Sequence, residues 1–222
     1  MRGTLVSIQV GKIQRHVMPA NVRVDFRHPF WTSAIFKSPI TGAVRVAMDR
    51  LEGDQQADLE NHGGPDNIIL AYDAAHYPGW RKELNMPELA YGAFGENFTV
   101  TGFSDDTVCI GDTWRVGPDL RLQVTQARQP CYKLARRLQQ PHIVQKIHEN
   151  SRGGWYLRVL GEGVVEAGMP IELVARKHPA WTVARAVQAV YARKKNPADA
   201  AALAQLPELS ARWKHDLTED VD

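Results

Sequence analysis

Short runs of alternating apolar residues, most of them bounded by Gly, Pro or Asp, recur through most of the chain and constrain its fold more than any other feature. An apolar period of two is typical of half-buried β-strands, and Gly, Pro and Asp end such runs in turns. Many short strands with frequent turns predict a mainly β fold, a barrel or a sandwich. The predicted strands are residues 4–10, 43–48, 68–71, 97–100, 113–116, 121–125, 156–160 and 171–174.

Helical patterns interrupt the predicted strands and then replace them. Apolar residues three or four apart predict inserted helices at 73–84, with Asp73 as a possible cap, and at 132–139 and 141–150. The composition changes after residue 178, where three helices are expected at 182–192, 197–206 and 207–217. We therefore expect a β-rich domain over 1–177, with inserted helices, and a small helical appendage over 178–222.

Composition excludes several classes of protein. The chain has 222 residues, with 44% hydrophobic and 23% charged residues and a net charge of +2, which is typical of a globular protein and too weakly basic to indicate nucleic acid. We see no signal peptide and no apolar run near the ~20 residues of a membrane span, so we expect a cytoplasmic protein without a membrane partner. Two cysteines are too few for a disulfide framework.

The stretch "RQPCYKL" places Cys131 between Arg128 and Lys133, directly after a proline. Cations beside a cysteine favour its thiolate form, which is the nucleophilic and metal-binding form. The residues leave three interpretations open: a buried thiol, a nucleophile or a soft metal ligand. Cys109, between Val108 and Ile110, is expected to be a core thiol.

Glycine-lined loops carry the other candidate polar residues. Each also has a plainer interpretation: a turn for "HGGPD", a backbone cap for Glu96, a solvated loop around Lys37 and a local salt bridge for Arg152. No HExxH or CxxC pattern indicates a zinc enzyme. Together the loops suit an anionic ligand that carries a soft metal, and the candidates are Lys37, His62, Asn97, Arg128 and Arg152, with the Cys131 thiol.

Six segments, in order, resemble the MOSC domain family: "LEGDQQAD", "HGGPDNIILAY", "FGENFTVTG", "IGDTWRVG", "LQVTQARQPCYKL" and "GGWYLRVLGEGVV". They run from Leu51 to Val165, and an ordered series of this kind is far more specific than any single motif. The three C-terminal helices are similar to the appendage of the YiiM branch of that family.

The resemblance implies a β-barrel whose cleft binds molybdenum cofactor (molybdopterin), a pterin with a dithiolene and a phosphate. Cys131 matches the position that ligates the metal and takes part in catalysis. The candidates for the phosphate and the pterin are Lys37, His62, Arg128, Lys133 and Arg152, with backbone groups near Gly63 and Gly64, while Asn97 is a candidate for the pterin or the substrate. The implied activity is reduction of small N-hydroxylated compounds such as 6-N-hydroxylaminopurine.

Other functions stay open beside this one. A carrier would bind the cofactor without turnover, and a cysteine hydrolase would pair Cys131 with His62 or His142. No G-x-G-x-x-G fingerprint of a flavin or nicotinamide site follows a strand, so a reductase of this kind needs a separate flavoprotein reductase as electron donor. A homodimer is also possible.

Overall fold

The structure is a computed structural model, and it describes residues 1–17, 30–57 and 63–219. Thirteen strands are present in these ranges: β1 (Arg2–Gly11), β2 (Gln14–Val17), β3 (Phe30–Ser33), β4 (Lys37–Pro39), β5 (Val44–Ala47), β6 (Arg50–Leu51), β7 (Ile69–Asp73), β8 (Phe98–Thr101), β9 (Thr113–Val116), β10 (Leu120–Ala127), β11 (Trp155–Gly161), β12 (Gly163–Val165) and β13 (Pro170–Ala175). The helices are α1 (His76–Glu83), α2 (Tyr132–Leu138), α3 (Ile143–Asn150), α4 (Val183–Tyr191), α5 (Pro197–Ala204) and α6 (Ala211–Glu219).

Seven strands close into a barrel, which confirms the barrel alternative of the predicted β fold. The ring runs β1, β13, β9, β10, β11, β7 and β8 and then returns to β1, and β4 pairs with the end of β1. All neighbours in the ring are antiparallel except β7 and β8. The closed ring leaves no unpaired edge among its seven strands. β5, β6 and β12 form a separate small sheet, and β2 pairs with β3.

Burial explains why the predicted runs became strands. In β9 buried residues alternate with half-buried ones, so Trp114 and Val116 enter the barrel core. β10 is buried on both faces over most of its length because α4 packs against its outer side. The strands β2, β3, β4, β6 and β12 were not predicted, since each is at most four residues long and shows little apolar alternation.

Two predicted helix starts were wrong. Asp73 ends strand β7, and its carboxylate accepts a hydrogen bond from the Ala75 backbone N–H at 2.9 Å, so α1 begins only at His76. The last helix begins at Ala211 rather than Pro207, because the Ser210 N–H donates to the Thr125 carbonyl of the barrel at 3.1 Å. Thr182 does cap α4, accepting from the Arg185 N–H at 3.1 Å as predicted.

The C-terminal helices share one apolar core with the barrel. Trp213 is fully buried, and Val187 and Leu203 belong to the same cluster as the barrel residues Leu122 and Val124. At this junction Glu208 accepts hydrogen bonds from Lys177 Nζ at 2.8 Å and His178 Nε2 at 2.7 Å. Among the described helices none is long and apolar enough to cross a membrane.

Candidate functional site

A cleft of about 700 Å³, partly open to solvent, lies beside the barrel where several connecting segments meet. Its walls come from the loop after β3, the loop after β6, the turn before β8 and the segment that joins β10 to α2. It brings together five of the residues predicted from the sequence: Lys37, Asn97, Arg128, Cys131 and Lys133. These residues are far apart in sequence, so the closed barrel is what places them in one site.

Cys131 occupies the N-terminal cap position of α2, in an extended conformation with φ −117° and ψ 173°. Its thiol is half-buried and lines the cleft. The preceding chain is held in place because the Arg128 N–H donates to the Gly154 carbonyl at 2.8 Å. Cys109, by contrast, does not line the cleft and is only 1% exposed. Burial and, to a smaller extent, the charge of Asp112 raise the pKa of its thiol. Cys131 is therefore the thiol that a ligand in the cleft can reach.

Arg128 is the most informative residue of the cleft. The residue is only 6% exposed, and its Nη1 is buried without a hydrogen-bond partner in the described part of the chain. Its guanidinium also forms no ion pair within that part. A buried cation without a partner is costly, since it has lost its hydration without compensation. Arg128 can therefore donate a hydrogen bond from Nη1 to a bound group in the cleft, and an anionic group would match its charge.

Lys37 is arranged differently, because its charge is already matched. Its Nζ lies 2.6 and 2.8 Å from the two carboxylate oxygens of Asp54. Burial lowers the pKa of Lys37, and the Asp54 charge opposes that effect. Asp54 also accepts from the Gly11 N–H at 2.7 Å. The pair therefore forms a nearly neutral wall of the cleft.

The side-chain amide of Asn97 is used within the same wall. Its Nδ2 donates to Asp54 Oδ2 at 2.9 Å and to the Gln9 carbonyl at 3.3 Å. Its Oδ1 accepts from the Leu70 N–H at 3.1 Å. Asn97 thus lines the cleft, and its described contacts orient Asp54 and join β1 to β7.

Of the remaining predicted residues, some line the cleft and others do not. Lys133 lines the cleft and is half-buried. Gly63 and Gly64 do not line it but lead into a short 3-10 turn, Pro65–Asn67, where Gly64 has the positive φ of 92° that favours glycine. His62 lies outside the described residues.

Arg152 does not line the cleft. Its Nη2 bonds both carboxylate oxygens of Glu83, at 2.8 and 3.1 Å, and its guanidinium lies 4.1 Å from the ring centre of Trp80. This contact is the salt bridge that the sequence analysis gave as the alternative to a cofactor role for Arg152. Glu96 likewise caps a turn: its carboxylate accepts from the Gly92 and Phe94 N–H groups at 2.6 and 3.1 Å.

Three further residues of the cleft were not singled out from the sequence: Asp54, Asn67 and Tyr156. Asn67 Oδ1 is buried and accepts no hydrogen bond from any described group. The Tyr156 hydroxyl has no hydrogen bond to the described residues. Burial raises the pKa of this phenol, the charge of Arg128 opposes the rise, and the charge of Cys131 adds to it. All three stand in the quoted segments "LEGDQQAD", "HGGPDNIILAY" and "GGWYLRVLGEGVV", but no local pattern distinguishes them from their neighbours as residues of a cleft.

His142 is exposed at the start of α3 and does not line the cleft, and no described histidine does. Within the described ranges, no three or more His, Cys, Asp and Glu side chains form a group that could hold a metal ion. In this part of the chain, a metal at Cys131 would need most of its ligands from a bound molecule.

Comparison with known proteins assigns the family. The MOSC domain model matches residues 58–172, and the model "YiiM-like, 3-alpha helix domain" matches residues 181–218. The chain is 40% identical to the uncharacterized protein YflK of Bacillus subtilis over 182 residues, which cover 82% of this chain and 81% of YflK. It is 34% identical to a protein of Gibberella moniliformis named "Reductase", over 92% of this chain but only 35% of that protein.

The crystal structure of YiiM from Geobacillus stearothermophilus superposes with a TM-score of 0.80 at 34% identity, covering 99% of this chain and 100% of that one. The two family models match the barrel region and the helical appendage separately, in the order in which the structure presents them. The chain belongs to the MOSC domain family and carries the three-helix domain of its YiiM-like members.

Proposed function

We propose that this protein is a molybdenum-cofactor-dependent reductase that converts N-hydroxylated compounds, such as 6-N-hydroxylaminopurine, into the corresponding amines. The observation that carries the proposal is that Arg128, whose buried Nη1 has no hydrogen-bond partner among the described residues, lines the same cleft as the Cys131 thiol. Membership of the MOSC family supports the cofactor, and the relative named "Reductase" supports the reaction class.

The residues present fit a molecule with both an anionic and a soft metal-binding part. Arg128 Nη1 offers a donor and Asn67 Oδ1 an acceptor, each buried and without a partner in the described structure. In the proposal Arg128, together with Lys133, binds the phosphate of the cofactor, and Asn67 accepts from an N–H of the pterin. Cys131 supplies the thiolate that ligates molybdenum.

When bound, the cofactor supplies a two-electron redox centre. The reaction consumes two electrons and two protons: the N–O bond breaks, one proton is added to the nitrogen to give the amine, and the other is added to the departing hydroxyl, which leaves as water. The chain's part is to orient the reacting groups and to provide a proton. Tyr156, whose free hydroxyl shares the cleft with Cys131, is suited to hold that proton, because burial keeps the phenol protonated.

The electrons come from outside the chain in this proposal, from a separate flavoprotein reductase, and the substrate is a small molecule that enters the open side of the cleft. A cytoplasmic location suits such a donor. The second copy of a homodimer is not needed for the cleft, since the residues discussed above all belong to one chain.

The test is turnover by protein produced in a host that synthesises molybdenum cofactor. Reduced methyl viologen is the electron donor, and conversion of 6-N-hydroxylaminopurine to adenine is followed by chromatography. We expect turnover by the wild type and none by Cys131→Ser, with Cys109→Ser as a matched control that keeps its activity. Loaded protein without turnover would identify a carrier instead, and full activity in Cys131→Ser would contradict the role of the thiol.

A further inference from the structure

The helical appendage contacts the barrel at one place that leads directly to the cleft. Helix α6 begins at Ala211, and the Ala211 N–H donates to Asp66 Oδ2 at 2.9 Å. The other carboxylate oxygen, Asp66 Oδ1, lies 2.9 Å from Nη2 of Arg158 on β11. The carboxylate of Asp66 therefore joins the first residue of α6 to a strand of the barrel.

Both partners of this contact are fixed by the same residue of β10, Thr125. Its hydroxyl donates to the Asp66 carbonyl at 2.8 Å, and its carbonyl accepts from the Ser210 N–H at 3.1 Å. The Ser210 hydroxyl accepts from the Trp213 N–H at 3.1 Å, as a cap at the start of α6 does. The start of α6 and the residue that it binds are thus held in register with each other.

The residue after Asp66 is Asn67, which lines the cleft. Asn67 is 5% exposed, and its Oδ1 accepts no hydrogen bond from any described group. Its N–H donates to the Gly64 carbonyl at 3.1 Å, and its carbonyl accepts from Gln56 Nε2 at 3.0 Å. Because Asp66 and Asn67 belong to one short 3-10 turn, a shift of Asp66 moves the Asn67 amide.

A second residue of the cleft is influenced by the same helix. Burial raises the pKa of Tyr156, and the charge of Arg212 on α6 is among the charges that oppose the rise. The Thr125 hydroxyl also lies 3.2 Å from the Tyr156 carbonyl oxygen. The start of α6 is therefore linked to Tyr156 as well as to Asn67.

Other contacts already hold the appendage on the barrel. Trp213 is fully buried in the shared apolar core, and Glu208 binds Lys177 and His178. None of these four residues lines the cleft or hydrogen-bonds the turn that carries Asn67. The contact at Asp66 differs from them because it ends beside a residue of the cleft.

We infer that Asp66 is a positioning residue through which the three-helix appendage places the Asn67 amide for cofactor binding, and this rests on the proposed function. Asp66 does not touch the ligand. It acts through Asn67, whose Oδ1 has to meet a donor N–H of the cofactor at hydrogen-bond distance. Helix α6 is then part of the cofactor site, although none of its described residues lines the cleft.

The test removes a single donor at this contact. Ala211→Pro deletes the N–H that Asp66 accepts, and proline is well tolerated at the first position of a helix. Ala211→Ser keeps the N–H and is the matched control at the same exposed position. Glu208→Gln weakens the junction without changing the turn that carries Asn67. Asp66→Ala removes both side-chain contacts of Asp66 and leaves the sequence of α6 unaltered.

Cofactor loss from the loaded proteins is followed over time by gel filtration, with retained pterin measured by the fluorescence of its oxidised form. We expect Ala211→Pro and Asp66→Ala to lose cofactor about threefold to tenfold faster than the wild type, the effect of one or two hydrogen bonds. Ala211→Ser and Glu208→Gln should match the wild type. In an Asn67→Ala background, Ala211→Pro should cause no further acceleration, because the residue through which it acts is already lost.

Hydrogen exchange of cofactor-free protein tests the same contact without the cofactor. We expect the backbone amides of residues 66–70 to exchange about threefold faster in Ala211→Pro than in Ala211→Ser, because the turn has lost one of its anchors. Amides of β1 should exchange equally in both variants. Asp66→Ala is compared with the wild type in the same way, so the test stands even if proline disturbs the start of α6.

The inference and the proposed function fail in different ways. Wild-type protein that contains no pterin contradicts the proposed function, while hydrogen exchange still shows whether α6 positions the turn. Equal exchange in Ala211→Pro and Ala211→Ser, and in Asp66→Ala and the wild type, overturns the inference. It is also overturned if Ala211→Pro accelerates cofactor loss equally with and without Asn67, or if Glu208→Gln loses cofactor as fast as Ala211→Pro.

Discussion

Asp54 binds the Lys37 ammonium through both carboxylate oxygens, at 2.6 and 2.8 Å, and both side chains are more than nine-tenths buried. Asn97 holds the same carboxylate from the other side at 2.9 Å. Three segments far apart in sequence thus meet in one network at the wall of the cleft. Lys37 is thus neutralised, whereas Nη1 of the buried Arg128 has no hydrogen-bond partner among the described residues.

Breaking this pair should cost stability. Asp54→Asn leaves a buried ammonium without its counter-charge, and we expect a loss of about 3 kcal/mol in the free energy of unfolding. The double variant Lys37→Met/Asp54→Asn removes both charges and should recover part of that loss. Urea denaturation of cofactor-free protein measures both. A double variant no more stable than Asp54→Asn would show that the ion pair is not the source of the effect.

Arg128 should behave in the opposite way. Removing an unpaired buried charge relieves a desolvation cost, so Arg128→Met should raise the stability of cofactor-free protein by about 1 kcal/mol or more. The same variant, produced in a cofactor-competent host, should contain much less cofactor than the wild type.

Arg152→Met is the matched control for Arg128. It removes an arginine that pairs with Glu83 and stacks on Trp80, so it should destabilise slightly and leave cofactor content unchanged. Loss of cofactor in Arg152→Met would restore Arg152 as a cofactor residue, and a strongly destabilised Arg128→Met would mean that Arg128 has a structural partner.

Tyr156→Phe tests the proposed proton source. We expect kcat to fall by about a hundredfold while cofactor content stays at the wild-type level. Because burial raises the pKa of Tyr156, the wild-type kcat should not decline through loss of this proton below about pH 10. Tyr191→Phe, which removes a hydroxyl outside the cleft, is the control. Unchanged kcat in Tyr156→Phe would exclude the phenol as the donor.

The junction between barrel and appendage should respond to acid. Burial of Glu208 opposes its ionisation, but hydrogen bonds from Lys177 and His178 outweigh burial and hold its pKa at about 2. This value lies below the ordinary carboxyl value, so the contribution of Glu208 to stability is present above about pH 4.5 and is lost as the pH falls through 2. Tm measured across this window should fall more steeply for the wild type than for Glu208→Gln. Parallel curves would contradict the assignment.

Local patterns in the sequence predicted the barrel strands and helices well, because burial of one face imposes a period that can be read along the chain. They also placed Arg128 and Cys131 together, since those two lie three residues apart. The partners of charged side chains could not be read in this way. Asp54 reaches Lys37, and Glu83 reaches Arg152, only because the closed barrel and α1 bring distant segments together.

Tyr156 shows the same limit for an aromatic residue. In sequence it is one apolar position in a strand, and the pattern cannot tell a core ring from one that faces a cleft. The turn at Asp73 shows another limit. An Asp carboxylate is suited to capping a helix. Because β7 extends to Asp73 itself, however, this carboxylate forms an Asx turn with the Ala75 N–H and does not cap a helix.

Elemental analysis of purified protein shows whether the cleft of Arg128 and Cys131 holds molybdenum cofactor, as we propose. Wild type and Cys131→Ser are produced in the same cofactor-competent host, and molybdenum per chain is measured by plasma mass spectrometry, with pterin measured by the fluorescence of its oxidised form. We expect about one molybdenum per wild-type chain and a large loss of molybdenum in Cys131→Ser. Wild-type protein without molybdenum or pterin, or equal molybdenum in both proteins, would contradict it.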